Sequence, residues 1–139
     1  MISIITKSEQ ETIDFACNFT KNLKPKDIIC FKGSLGMGKT AFCKGISKGL
    51  ECIDLVSSPT FSIVNVYRGK QIFAHFDMYR INTEQDLEMS GFYEYIDDGA
   101  ILAIEWSENI IQYIDMPYIE ITIEYINENT RKIIVKEIS

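Results

Sequence analysis

A glycine-rich segment in the first third of the chain constrains its fold more than any other feature. The pattern G-x-x-x-x-G-K-S/T is matched in full by Gly33, Ser34, Leu35, Gly36, Met37, Gly38, Lys39 and Thr40. An apolar segment, Asp27–Phe31, precedes it and is typical of a buried strand. From Gly38 to about Lys48 the sequence predicts a helix, which Gly49 ends. This strand–loop–helix order predicts an α/β domain with a phosphate-binding loop.

The residue types in this P-loop, or Walker A motif, indicate how it would hold a nucleoside triphosphate. Glycines let the backbone approach phosphate closely, and the start of the following helix adds positive potential. Lys39 is expected to contact the β- and γ-phosphates, and the hydroxyl of Thr40 is expected to bind Mg²⁺. The predicted cofactors are therefore ATP, cradled by residues Gly33–Thr40, and Mg²⁺.

Two apolar segments further along the chain end in a carboxylate. Ile101–Ile104 is followed by Glu105, and Phe73–Phe76 is followed by Asp77. Ligands in open α/β sheets bind at the carboxyl ends of the strands, so both acids can face the phosphates. We assign Glu105 as the magnesium partner and Asp77 as the group that orients or polarises the attacking water. The sequence alone leaves an exchange of these two roles open.

Three polar residues near these segments allow alternative interpretations. Thr60 follows Ser57-Ser58-Pro59 in a loop, where a hydroxyl can meet the γ-phosphate and Mg²⁺ and complete the catalytic set. An ordinary proline-containing turn explains the same composition equally well. Arg80 could supply positive charge near the phosphates or form a surface ion pair. His75 lies within a strand pattern and is expected in the core or at a sheet edge rather than in catalysis.

The first half of the chain contains further predictable elements. Ile2–Thr6 is expected to be an edge strand, and Ser8 begins a capping-box pattern for a helix that runs to about Asn22. Thr60–Tyr67 and Gln71–Asp77 flank a short glycine-containing turn, which predicts a hairpin.

The second half of the chain is expected to complete the sheet. Gly91–Asp98 is interpreted as an aromatic-rich connection to a central strand, Ala100–Ile104, and Trp106–Tyr113 is predicted to be helical. The alternating segments Tyr118–Tyr125 and Arg131–Ile138 predict an antiparallel hairpin with one wet face.

Composition narrows the functional classes. The 139 residues suffice for one compact domain, which we expect to span residues 1–139. A net charge of -6 argues against a wide nucleic-acid surface, because such surfaces need clustered Lys and Arg. The start of the chain lacks the pattern of a secretory signal, and no segment reaches the length of a membrane span. We therefore expect a cytoplasmic protein that does not contact membranes.

The order of these segments resembles the bacterial TsaE (YjeE) family, the ATPase component of the machinery that makes N6-threonylcarbamoyladenosine (t6A) in tRNA. The resemblance rests on the P-loop and three further strings, which are Ser58-Pro59-Thr60-Phe61, His75-Phe76-Asp77-Met78-Tyr79-Arg80 and Ile104-Glu105-Trp106. Met37 inside the P-loop and the short C-terminus depart from the family pattern, but neither change affects a group with a proposed chemical role.

The resemblance implies more than the residues do alone. It implies one α/β domain with a mixed, mainly parallel sheet, and a weak ATPase that acts with the subunits TsaB and TsaD and reaches tRNA only through that complex. Thr40 and Glu105 are the implied magnesium ligands, and Asp77 is implied in hydrolysis. Thr12 and Arg131 are implied to border the adenine.

Two other functions fit the same P-loop. A small-molecule kinase would share Lys39 and Thr40 but usually closes an arginine-rich lid, and only Arg68, Arg80 and Arg131 are present. A non-hydrolysing module whose assembly is gated by ATP is the other alternative. A GTPase is disfavoured because the chain has no N-K-x-D guanine motif.

Overall fold

The computed structural model describes residues 1–32, 38–54, 56 and 63–139. Seven strands form one sheet within these residues: β1 (Ile2–Thr6), β2 (Ile28–Lys32), β3 (Val64–Tyr67), β4 (Phe73–Asp77), β5 (Ile101–Glu105), β6 (Tyr118–Tyr125) and β7 (Arg131–Ile138). The same residues contain four α-helices: α1 (Glu9–Phe19), α2 (Lys39–Gly49), α3 (Glu84–Met89) and α4 (Phe92–Asp97).

The sheet has the order β1-β7-β6-β2-β5-β4-β3. The pairings of β2 with β5, β2 with β6, and β4 with β5 are parallel. The pairings at the two sides, β1 with β7, β6 with β7, and β3 with β4, are antiparallel. The mixed α/β sheet is confirmed, with its parallel part at the centre and equal numbers of parallel and antiparallel pairings among the described strands.

Burial explains why the central strands occupy the middle of the sheet. In β2, β4 and β5 the first four residues are buried, so both faces of each strand are covered. One face packs against α1 and α2, where Phe31 and Phe42 meet edge to face with ring centroids 5.8 Å apart. The opposite face packs against α3 and α4 through Leu87 and Phe92. The predicted central strand at Ala100–Ile104 is thus confirmed as β5.

Helices α1 and α2 approach each other closely through glycine. A Cβ atom on Gly45 would collide with the carbonyl oxygen of Ile13 and lie 2.5 Å from Cβ of Ala16. The N-terminus of α1 is capped as predicted, since the Ser8 hydroxyl accepts a hydrogen bond of 3.0 Å from the Glu11 backbone N–H. This packing fixes α2 relative to α1.

The C-terminal hairpin is confirmed with the predicted bounds, and the structure adds where it docks. Strand β6 pairs in parallel with β2, so the hairpin extends the sheet rather than standing apart from it. Strand β7 then pairs with β1, which is the edge strand that the sequence predicts at Ile2–Thr6.

Two local predictions need correction. The segment Gly91–Asp98, predicted as an aromatic-rich connection without a helix of its own being assigned, contains helix α4, which begins after Gly91 at a φ of 89°. The aromatic residue Phe92 on this helix is fully buried, so tertiary packing stabilises a helix that is too short to be predicted from its sequence. The predicted helix over Trp106–Tyr113 is two short 3-10 turns, Ser107–Asn109 and Ile111–Tyr113. Among the helices that the structure describes, none has the length and apolar character needed to cross a membrane.

Candidate functional site

The start of α2 is built as a P-loop requires in the part that the structure describes. Gly38 precedes the helix at a φ of 102°, a left-handed conformation that favours glycine, and a Cβ atom there would lie 3.2 Å from Cγ2 of Ile123. The side chain of Lys39 is buried, and Thr40 is half-buried in the first turn. The predicted phosphate contacts of Gly33–Met37 lie outside the described residues.

The topology brings the two candidate acids to the same edge of the sheet. Strands β2, β5 and β4 are parallel neighbours, so β5 and β4 end beside β2, the strand that leads into the phosphate loop. Asp77 and Glu105 are register partners at those ends. Side-chain alternation places both of them on the face that carries Phe73 and Ala103, which is the face covered by α1 and α2.

Glu105 is held by a buried histidine. Nε2 of His75 lies 2.6 Å from Oε2 of Glu105, and the His75 side chain is 1% exposed. The imidazole lies parallel to the ring of Phe73, with centroids 6.3 Å apart, and its Nε2 is also 3.8 Å from Sγ of Cys43 on α2. His75 therefore connects β4, β5 and α2 directly behind the candidate carboxylate.

The charges around this pair shift both pKa values. Burial raises the pKa of Glu105, but the hydrogen bond and charge of His75, together with the charge of Lys39, outweigh burial and lower it. Burial lowers the pKa of His75, whereas Cys43 and the Glu105 carboxylate outweigh it and raise the net value. Glu105 is thus kept as an anion near Lys39, the state in which a carboxylate binds a divalent cation.

The backbone just after strand β4 holds the Asp77 side chain. Its Oδ1 accepts a hydrogen bond of 2.9 Å from the Tyr79 backbone N–H. The side chain is half-buried, and Arg80 three residues later is exposed. Asp77 can therefore reach solvent at the sheet edge while its orientation stays fixed.

The chain turns sharply after Glu105. Trp106 adopts a left-handed conformation with φ of 58°, and its ring meets that of Tyr79 with centroids 4.9 Å apart. The hydroxyl of Ser107 donates a hydrogen bond of 3.0 Å to the carbonyl of Phe31, and the Asn109 amide donates one of 2.9 Å to the carbonyl of Met78. These bonds attach the turn to β2 and to the end of β4, so the position of Glu105 is fixed from both sides.

A cleft of about 270 Å³ lies beside the start of α2. It is lined by Ser8, Glu9, Thr12, Gly38, Thr40, Ala41, Glu128, Asn129 and Arg131. Arg131 Nη1 donates to the carbonyls of Asn127 and Thr130 at 2.7 and 3.0 Å, and its guanidinium lies over the Tyr125 ring. Its Nε is buried and has no hydrogen-bond partner in the described part of the chain. The cleft can therefore accept a planar, polar group next to a fixed cation.

The structure brings the predicted site residues together in two adjoining groups. Thr12, Thr40 and Arg131 line the cleft, and Thr12 is itself fixed by a hydrogen bond of 2.7 Å to Thr6. The charge of Lys39 helps to lower the pKa of Glu105, and Glu105 is the register partner of Asp77. Thr60 lies outside the described residues, so its catalytic role stays a prediction.

His75 belongs to this site, although the sequence did not predict it as a site residue. The expectation that it lies in the core is confirmed by its burial, but it also contacts the key carboxylate. A signal was present, because His75 and Asp77 are two residues apart on one strand and therefore share a face.

A family model described as "Threonylcarbamoyl adenosine biosynthesis protein TsaE" matches residues 6–133 of this chain. The match spans every candidate site residue, from Thr12 to Arg131. The chain belongs to the TsaE family. Family membership confirms the resemblance and associates the chain with threonylcarbamoyladenosine biosynthesis.

Curated TsaE relatives match nearly the whole chain. The tRNA threonylcarbamoyladenosine biosynthesis protein TsaE of Aquifex aeolicus is 40% identical over 136 residues, covering 94% of this chain and 92% of the relative. The TsaE protein of Rickettsia typhi is 38% identical over 132 residues, covering 94% and 91%. The crystal structure of Bacillus subtilis YdiB superposes with a TM-score of 0.77 at 26% identity, covering 98% of this chain and 84% of YdiB. The TsaE assignment and the fold therefore agree along the chain.

Proposed function

We propose that this TsaE family member binds ATP with Mg²⁺ and hydrolyses it to support t6A modification of tRNA, in the cytoplasm and together with TsaB and TsaD. The observation that carries the proposal is the parallel arrangement of β2, β5 and β4. It sets the start of α2 beside two carboxylates at one edge of the sheet, as phosphoryl transfer requires.

The donor set near α2 suits Mg²⁺. The Thr40 hydroxyl and the Glu105 carboxylate are hard oxygen donors, and both lie in or beside the P-loop helix start. No cluster of three or more His, Cys, Asp or Glu side chains that could hold a metal occurs in residues 1–32, 38–54, 56 and 63–139. Such an incomplete protein shell fits Mg²⁺, which usually keeps several waters and binds substrate phosphates. When bound, the ion would neutralise charge on the β- and γ-phosphates.

The protein groups then have distinct tasks. Lys39, buried at the first turn of α2, would contact the phosphates and offset their charge. Oδ1 of Asp77 accepts the Tyr79 N–H, and the other carboxylate oxygen, Oδ2, would orient the attacking water. The Thr60 hydroxyl would contact the γ-phosphate, as its sequence context suggests.

The cleft beside Thr40 supports a site for the adenine. Its position between α1, α2 and the turn after β6 places it next to the proposed phosphate site. The Arg131 guanidinium is planar and is held by the turn carbonyls, so it can pack against a base without being ordered first. Thr12 forms the floor of the same cleft.

The arginines argue against the kinase alternative. Arg68 forms an ion pair of 3.0 Å with Asp54, and Arg131 is bound to the carbonyls of the turn after β6. A lid that closes over phosphates usually carries several arginines, whereas these two already bind other groups and Arg80 is the one remaining arginine of the chain. The net charge of -6 is compatible with an ATPase that acts through partner proteins, because such a protein need not bind RNA itself.

The test is ATP turnover by the purified chain, measured with and without TsaB, TsaD and tRNA, in Mg²⁺ and in EDTA. We expect slow, Mg²⁺-dependent hydrolysis that the partners accelerate, and its loss in Lys39→Ala and Glu105→Ala. Lys48→Ala, an exposed lysine on the same helix, is the matched control and should behave as wild type. ATP-dependent complex formation without turnover would instead support the gated module, and unchanged ATP affinity in Lys39→Ala would refute the nucleotide site.

A further inference from the structure

His75 is the chain's only histidine, and it is buried in the middle of the sheet face that carries the site. A buried imidazole costs free energy unless its ring nitrogens are hydrogen-bonded. Nδ1 of His75 has no partner in the described part of the chain. The remaining nitrogen, Nε2, contacts Glu105 at 2.6 Å and the sulfur of Cys43 at 3.8 Å.

The strand register explains how His75 reaches Glu105. His75 pairs with Ala103, so Glu105 lies two residues further along β5 on the same face. The small side chain of Ala103 leaves room for the imidazole to lie across the strands toward Glu105. The ring of Phe73 lies parallel to the imidazole, with an angle of 2° between the planes and 6.3 Å between the centroids, and so packs beside it on the same face of β4.

Helix α2 also approaches Nε2 of the histidine, through Sγ of Cys43. Cys43 lies one helical turn after Lys39, so the two residues share a face of α2. Nε2 of His75 therefore lies close both to the carboxylate and to the helix that begins at the phosphate loop. A displacement of His75 would move Glu105 relative to Lys39.

We propose that His75 is a positioning residue, whose Nε2–H holds Oε2 of Glu105 so that Oε1 remains for Mg²⁺. This inference rests on the proposed function, since it assigns Glu105 to the metal. An apolar side chain would fill the same space without leaving a buried nitrogen unpaired. The directional hydrogen bond to Glu105 is what a histidine supplies here and a leucine does not. Hydrogen bonds to metal-binding carboxylates commonly set their orientation.

The hydrogen bond can be observed directly, because a single histidine gives one set of imidazole signals. In long-range ¹H–¹⁵N spectra of the metal-free chain we expect Nε2 to be protonated, with its proton shifted downfield and protected from exchange. Glu105→Gln should move this resonance, whereas Glu108→Gln, an exposed acid three residues later, should leave it unchanged. An Nε2 without its proton, or a signal that is insensitive to Glu105→Gln, would overturn the inference.

The effect on metal binding is tested with Mn²⁺ as the probe, by electron paramagnetic resonance titration in the presence of ADP. His75→Leu should weaken Mn²⁺ binding by about 10- to 100-fold, the usual cost of losing a group that orients a ligand. His75→Gln, whose amide N–H can replace the Nε2–H, should recover most of that loss. Binding of ADP in EDTA should stay within about twofold of wild type in both variants, because Lys39 and the cleft are retained.

The outcomes separate this inference from the proposed function. If wild type binds Mn²⁺ with ADP and a folded His75→Leu variant binds it equally well, His75 does not position Glu105, while the proposed ATPase stands. If wild type shows no metal-dependent nucleotide binding, the proposed function fails. Circular dichroism establishes whether His75→Leu folds. If it does not fold, His75→Gln is compared with Cys43→Ala, which removes the other group that contacts Nε2 but keeps the histidine. Equal Mn²⁺ affinity of these two variants supports the inference. A His75→Gln variant that folds but binds Mn²⁺ far more weakly than Cys43→Ala overturns it.

Discussion

Asp77 and Glu105 are register partners at the ends of β4 and β5, yet different groups hold their carboxylates. Glu105 is bound by the buried imidazole of His75, and Asp77 accepts the backbone N–H of Tyr79. The charge of Lys39 also helps to lower the pKa of Glu105. These surroundings favour metal binding by Glu105 and water orientation by Asp77.

This difference predicts distinct kinetic defects. Glu105→Gln should raise the Mg²⁺ concentration needed for half-maximal hydrolysis by about 10-fold or more, because a neutral amide binds the ion poorly. Asp77→Asn should lower kcat by about 100-fold or more at saturating Mg²⁺, because the base that orients the water is lost. Steady-state turnover over a Mg²⁺ series measures both quantities, and the reverse pattern would show that the two acids exchange roles.

The contact between α1 and α2 predicts a large effect on stability from one methyl group. Gly45→Ala should lower the free energy of unfolding by about 1–3 kcal/mol, because the new Cβ collides with the Ile13 carbonyl and Ala16. The higher helix propensity of alanine offsets about 1 kcal/mol at most. Urea unfolding of Gly45→Ala beside Lys48→Ala, an exposed position on the same helix, measures the difference. A Gly45→Ala variant as stable as wild type would show that the helices can separate freely.

Arg131 is predicted to act on both the turn and the cleft. Arg131→Ala should destabilise the chain by about 1–2 kcal/mol, because the carbonyls of Asn127 and Thr130 each lose a side-chain hydrogen bond and keep only their backbone donors. It should also weaken binding of a fluorescent ATP analogue, whereas Lys136→Ala, exposed on the same strand, should change neither property. Normal nucleotide affinity in a folded Arg131→Ala variant would separate this residue from the adenine site.

The left-handed conformation of Trp106 predicts that glycine is more stabilising than alanine at this position, the reverse of the usual order. Glycine normally destabilises a chain relative to alanine, but at a φ of 58° alanine is strained. Trp106→Gly should therefore be more stable than Trp106→Ala by about 1 kcal/mol. Both variants lose the indole, so the difference between their stabilities in thermal or urea unfolding reports the backbone strain alone. If Trp106→Ala is the more stable variant, the turn after Glu105 is not left-handed in solution.

Trp106 also offers a direct optical signal. It is the only tryptophan and adjoins Glu105, so Mg²⁺ and ATP should change its fluorescence. The same addition to Glu105→Gln should give a smaller change at equal Mg²⁺, because the metal binds more weakly. An equal fluorescence change in both proteins would show that the signal does not depend on metal binding by Glu105.

Local patterns in the sequence determined the elements and their chemistry. The P-loop pattern, the apolar segments ending in Asp77 and Glu105, and the alternation of the last two strands are local features, and their predicted strands occur as β4, β5, β6 and β7. Helix α4 was missed because its six residues are helical through the burial of Phe92 rather than through propensity.

Long-range pairing decided which of these groups meet. Strand order, the register of Asp77 with Glu105, and the docking of β6 on β2 join residues far apart in the chain, and no local pattern encodes such distances. The role of His75 depends on this pairing, since periodicity shows only that its strand is buried. The sequence by itself therefore determined a phosphate-binding strand–loop–helix and its acidic candidates, whereas the tertiary structure alone decided that a buried imidazole holds one of them.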